Sequence, residues 1–231
     1  MDIKNKRILI AAIVAGVIII TFGALACTGL FRGFDAQSYV KAMLDQTLKG
    51  DVENTLNMVE GVTEAQLQAQ YEAGVSSFTK NNILNKVEVD KELEAKYVAH
   101  CKDIFAGMKY KVGEAEEVGE DEYRVPVKYQ ASDVYLKFIA SVQEERQNRL
   151  EQVEKGAYQG ETLEEVIAQM EAEVLNNSCD LLGEACKTME FGKEETMNFT
   201  VKKGENGLYQ LEEGEIAEFL IKIMSLDAIQ D

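Results

Sequence analysis

The sequence predicts an α+β protein held at a membrane by its N-terminus. Helices pack on a roughly four-stranded antiparallel sheet, made of two hairpins that an inserted helical pair separates. Three observations predict this. Residues 8–31 form a run of 24 residues without a charge. Beyond it, apolar residues recur at helical spacing until Met108, and the period drops to two from Lys109 onward. A hairpin followed by a helix then occurs twice, at 109–142 and at 192–226.

At 1.5 Å rise per residue the uncharged run makes about 36 Å of helix, enough to cross a hydrocarbon core of about 30 Å. Lys4, Lys6 and Arg7 stand just ahead of it, which keeps the N-terminus in the cytoplasm and exports the rest. Three readings of the segment compete. A cleaved signal peptide needs an apolar core of about 7 to 15 residues and a small-residue site, which 8–21 and Gly23, Ala24 and Ala26 supply. A lipoprotein signal would lipidate Cys27 after Ala24, Leu25 and Ala26, although Leu25 stands two positions before the thiol where three is usual. An uncleaved helix is favoured by the continuation of the run through Leu30 and Phe31. The residues leave these open. The tethered readings divide the chain into a membrane segment, 1–32, and an extracytoplasmic domain, 33–231.

Asp35 caps a first helix with Val40, Met43, Leu44 and Leu48 on one face, ending near Gly50. A short second helix from Asp51 carries Val52, Leu56 and Val59 up to Gly61. Thr63 and Gln66 form a capping box ahead of Leu67, Tyr71, Val75 and Phe78. Asn81, Asn82 and Asn85 loosen the pattern. Asp90 then opens a helix whose stripe is Leu93, Tyr97, Cys101, Ile104, Phe105 and Met108. Tyr110 and Val112 begin one strand, and Tyr123, Val125, Val127 and Tyr129 alternate along its partner across a turn at Gly119, Glu120 and Asp121. Pro126, the one proline, lacks a donor and so predicts an edge strand or a bulge.

A long helix follows from Asp133, strongly polar between residues 143 and 155, so that this part projects or packs on one side only. Gly156 and Gly160 end it, and a second capping box, Thr162 with Glu165, opens its antiparallel partner. Met197, Phe199 and Val201 alternate before Asn206 and Gly207, which predict a two-residue type I′ turn, with 208–211 returning. The last helix places Ile216, Phe219, Leu220, Ile223 and Met224 on one face.

Charge narrows function. Four of the 24 cations (Lys4, Lys6, Arg7, Arg32) and one of the 41 acids (Asp2) precede residue 33, leaving 20 against 40, a net charge of −20. Such a surface repels phosphate backbones, excludes nucleic acid as a partner, and argues against a polybasic grip on anionic lipid. With His100 the only histidine, sites needing two are excluded, and a Ser–His–Asp or Cys–His relay would have to use His100 itself, whose neighbour Cys101 points about 100° away on a helix. Cys179 and Cys186 are about 10.5 Å apart if their helix is continuous, too far for a disulfide, but a break at Asn176, Asn177 and Ser178 would change that. Glu116, Glu117, Glu120, Asp121 and Glu122 lack the alternation and central glycine of a calcium loop and read as a solvated hairpin tip. No phosphate loop, nucleophile elbow or zinc-protease motif is present. The expectation is therefore a protein that is not an enzyme, with no catalytic, cofactor or metal residue to nominate.

Gly33, Phe34, Asp35 and Ala36, then Tyr39, Val40, Lys41, Leu44 and Asp45, then Lys49, Gly50 and Asp51 resemble the opening of small Gram-positive membrane-anchored proteins. Tyr71, Glu72, Ala73 and Gly74, and the late Thr200, Val201 and Tyr209 before an amphipathic helix, continue the likeness. The chain resembles the family known as domain of unknown function 5105, many of whose members carry lipoprotein signals. The resemblance spans most of 33–226 and implies an exported α+β domain related to the cone-shaped fold of nuclear transport factor 2. It carries over no catalytic residue, and the spacing around Cys27 departs from a lipoprotein signal.

Two functional expectations follow. One is a non-catalytic interaction or accessory module, tethered to the membrane and meeting an envelope protein. The other is a small-ligand-binding domain with a pocket between sheet and helices, lined by Tyr110, Tyr123 and Tyr129.

Overall fold

The fold is taken from a computed structural model, which describes residues 27–28, 34–58, 61–160, 162–205, 207–212 and 214–229. Residues 8–26, the greater part of the expected anchor, lie outside them. Among the described residues no helix is long and apolar enough to cross a membrane. Cys27–Thr28 is a short strand, β1.

Helices α1 (Ala36–Lys49), α2 (Glu53–Met58), α3 (Glu64–Phe78) and α4 (Lys91–Ala106) come first. Strands β2 (Lys109–Val112), β3 (Glu116–Gly119) and β4 (Glu122–Ser132) follow. The helical pair α5 (Val134–Glu154) and α6 (Leu163–Lys187) precedes β5 (Phe191–Lys203), β6 (Leu208–Leu211) and α7 (Glu215–Ile223). All the strands join one antiparallel sheet in the order β1-β6-β5-β4-β2, with β3 beside β2 on the same flank of β4. The expected four strands are thus six.

Local chemistry sets the boundaries. Both capping boxes form, Thr63 with Gln66 and Thr162 with Glu165, and the Asp35 and Asp90 carboxylates accept from Ser38 and Leu93. Gly50 ends α1 at φ +66°, where a Cβ would stand 2.7 Å from the Tyr71 ring. Both the backbone and the space there require glycine. After α3, a π-helical turn (Thr79–Ile83) carries Asn81 and Asn82, whose amides donate to the Ser77 and Phe78 carbonyls.

Pro126 stands in the central strand and not at an edge. Its carbonyl accepts from Gly113 at 2.7 Å, so its donorless nitrogen faces the same flank, opposite the break between β2 and β3. A Cβ on Gly113 would meet the Pro126 ring at 3.0 Å and its carbonyl at 3.1 Å. The β5–β6 connection also differs from the expected type I′ turn. Gly204 donates to Leu208 and Gly207 donates to Gly204, so three residues close the loop, with Gly207 at φ +79°. Asn206 itself lies outside the described residues.

Alternation gives the sheet one buried face. Val125, Val127 and Tyr129 of β4 and Met197, Phe199 and Val201 of β5 point inward, while Arg124, Lys128, Asn198 and Lys202 face solvent. Helices α1 and α7 lie on the inner face, α3 and α4 pack on α1, and α6 joins α4 to α5. Phe219 anchors the centre, with the rings of Tyr129, Phe199 and Tyr110 at 5.4, 5.5 and 6.1 Å in edge-on contact. The polar half of α5 packs on one side: Arg146 binds Glu171, and Arg149 bridges Glu145 and Glu173, all across or along the α5–α6 seam.

Candidate functional site

The three tyrosines do not converge. Tyr110 and Tyr129 are direct cross-strand partners on β2 and β4, both against Phe219. Tyr123 is six residues earlier on β4, about 20 Å away. It stands 5.7 Å from Phe34 and 5.9 Å from Tyr209, in a second aromatic cluster where Phe34 stacks on Tyr209 at 3.7 Å.

The tyrosine with the strongest polar partner is Tyr110. Its hydroxyl donates to Asp45 at 2.6 Å, from a residue 65 positions away. Asp45 is 2 % exposed and also takes Lys49 at 2.9 Å and Lys41, one turn of α1 to either side. Burial alone would raise the Asp45 pKa, but the hydrogen bonds from Lys41, Tyr110 and Lys49 outweigh it and hold the carboxyl below its ordinary range. Burial and the same carboxylate push the Tyr110 phenol far up. The proton therefore stays on the tyrosine and the charge on the aspartate at neutral pH. A pair whose pKa values diverge in this way makes a clamp between α1 and β2, not an acid–base couple.

The next residue is different. Gln46 is 1 % exposed, and neither its Nε2 nor its Oε1 has a hydrogen-bond partner. Thr55 on α2, fully buried, also has an unpartnered hydroxyl. α1 and α2 pack on one another across a turn of three residues, 50–52. Three orphaned polar atoms on two touching helices carry a desolvation penalty of about 1–3 kcal/mol each unless something meets them. Nothing in the helical spacing flagged these residues, because polar side chains on a helix ordinarily mark its wet face.

Of the described thiols, Cys101 and Cys179 are buried and Cys186 is half-buried. Cys101 is fully buried, and burial pushes its pKa up to about 12. Burial also raises Cys179 and Cys186. Such thiols are poor nucleophiles. α6 runs unbroken through Ser178, so Cys179 and Cys186 remain about two turns apart and free. The His100 ring lies against Gly183, where a Cβ would come within 2.8 Å of it. At the acidic hairpin tip, Asp121 accepts from the Tyr209 hydroxyl at 2.5 Å and from Lys203 at 3.0 Å. Among the described residues no three His, Cys, Asp or Glu side chains gather as a metal site.

No family model matches the chain, and no curated protein matches it. A solved structure does: ycdA of Bacillus subtilis, described as a "putative lipoprotein", superposes with a TM-score of 0.51 at 12 % identity. The match covers 82 % of this chain and 56 % of that one, so this chain spans just over half the length of its neighbour. At that identity the likeness is one of fold.

Proposed function

We propose that the protein is an extracytoplasmic module tethered to the membrane by its N-terminus, which acts by binding another envelope component and not by catalysis. The observation that carries this is the run of 24 uncharged residues behind three cations, directly ahead of the folded body. The fold likeness to a protein described as a lipoprotein agrees with it. Lipidation at Cys27 is the form of tether that the neighbour's description suggests. In that form β1 starts at the lipidated residue, and its backbone pairs with Tyr209 and Leu208.

The test uses a C-terminally tagged full-length chain. Protease added to intact protoplasts should remove the tag, labelled palmitate should enter the wild type and not Cys27→Ala, and in-cell cross-linking should recover the same envelope protein repeatedly. A tag that stays protected overturns the topology. Self-cross-links alone, at good expression, overturn the interaction reading.

The orphaned atoms of Gln46 and Thr55 favour a second reading, a small uncharged ligand with donor and acceptor groups held between α1 and α2. A compound that raises the melting temperature of the wild type but not of Gln46→Met would support it. A screen in which both respond alike to every compound would dismiss it.

A further inference from the structure

Cations scattered through the sequence meet on the sheet. The register places Lys109 and Lys111 of β2, Arg124 and Lys128 of β4, and Lys202 of β5 on the solvent face. Four acids share that face: Glu116, Glu122 and Glu194 in the strands, and Glu212, whose amide extends the β5–β6 ladder to Thr200 and whose carboxylate meets Lys202. Five against four is +1, whereas the rest of residues 33–231 keeps 15 cations against 36 acids, a charge of −21. Lys111 stands directly opposite Lys128, an arrangement of like charges that costs stability in an isolated sheet. Lys128 has Glu194 at 2.9 Å, and Lys202 lies between Glu122 and Glu212. Lys111 and Arg124 have no ion pair among the described residues.

We propose that this bare sheet face is the surface the body turns toward an anionic lipid bilayer. The proposal rests on the membrane-tethered reading above. The tether supplies proximity, so the face need not bind tightly; it has only to be the least unfavourable one to present. Each cation brought near an anionic surface gains and each acid loses, and screening over about 8 Å confines the effect to whichever face is turned down. A +1 face on a −20 body is therefore selected. The described part of the N-terminal segment agrees with it: β1 is an edge strand that extends the sheet beyond β6. The helices then point away from the membrane, open to a partner.

The experiment places full-length protein in vesicles of phosphatidylcholine, or of equimolar phosphatidylcholine and phosphatidylglycerol, and acetylates it with a membrane-impermeant reagent. Mass spectrometry reads each lysine. Lys109, Lys111 and Lys128 should react about threefold more slowly on the anionic vesicles, and high salt should abolish the difference. Lys96, Lys155 and Lys187, exposed on the helical side, should react equally on both. In the double variant Lys111→Glu, Lys128→Glu, whose side chains are exposed, Lys109 should lose its dependence on lipid. Equal rates for the sheet lysines on both lipids, or protection of the helical lysines instead, would overturn the proposal. A chain that floats with neither vesicle would overturn the tethered reading itself.

Discussion

Asp45→Asn isolates the clamp between α1 and β2. The change keeps the shape of a side chain that is 2 % exposed and removes its charge. The bond from Tyr110 falls from the charge-assisted class, about 1.5–3 kcal/mol, to the neutral one, about 0.5–1.5 kcal/mol. The pairs with Lys41 and Lys49 contribute about 0.3–0.5 kcal/mol each, because both lysines are largely in water. Relief of the buried charge works the other way, but the lowered pKa shows that the partners outweigh desolvation. The net loss is about 1–2 kcal/mol. A depressed carboxyl pKa stabilises the fold above its unfolded value, about 3.9, and that contribution disappears as pH falls through the folded value. Urea titration of full-length protein in neutral detergent, followed by circular dichroism, should show the full difference at pH 7 and its closure below about pH 4. A variant as stable as wild type at pH 7, or a deficit that persists unchanged into acid, would refute the reasoning.

Three further outcomes are expected. Gly50→Ala should cost about 2–3 kcal/mol, since it combines a left-handed backbone with the Tyr71 ring, whereas Gly156→Ala, at φ +77° with open space around it, should cost about 1 kcal/mol; equal losses in urea titrations would contradict the steric part. Native protein at pH 8 should leave Cys101 unalkylated by iodoacetamide until denaturant is added, and non-reducing mass spectrometry should find Cys179 and Cys186 unlinked. Glu215 accepts from the Thr200 amide at 2.8 Å while burial raises its pKa, so ionisation costs the folded state as pH climbs past the unfolded value. Glu215→Gln keeps the acceptor and should equal or exceed wild type in stability at pH 7, with any advantage gone at low pH; a clear loss at pH 7 would count against this.

The parts of the fold that periodicity encodes could be read in advance: the stripes of α1, α4 and α7, both capping boxes, and the alternation around Val125 and Phe199. What escaped lacks a periodic signature. β3 is Glu116, Glu117, Val118 and Gly119, all exposed, and exists because β4 offers it a partner. The first half of β5, with Lys193, Glu194, Glu195 and Thr196, is equally unmarked. Position along the helix misled at α1, where residues 42–48 are buried without a break because α2, α3, α4 and the sheet enclose it. Asp45 and Gln46 therefore looked like surface. Strand alternation puts the three tyrosines on one hairpin, and only the register pairs Tyr110 with Tyr129 and leaves Tyr123 elsewhere. The same is true of the sheet cations, which are far apart in sequence and adjacent in register.

The interrupted flank of β4 bears on how copies of the chain coexist. Proteins confined to one membrane meet at high local concentration, and a long unbroken edge strand is a template on which the next molecule can add. Here that edge is divided into two four-residue pieces, with Gly113 turning in against Pro126 between them. Lysines flank one piece and glutamates the other. A strand arriving from a neighbouring molecule would find no more than a few donors and acceptors in line before the ladder steps out of register. For the tethered chain proposed above, such an edge makes crowding on the membrane less prone to become polymerisation, and the ladder breaks opposite the one proline of the sheet.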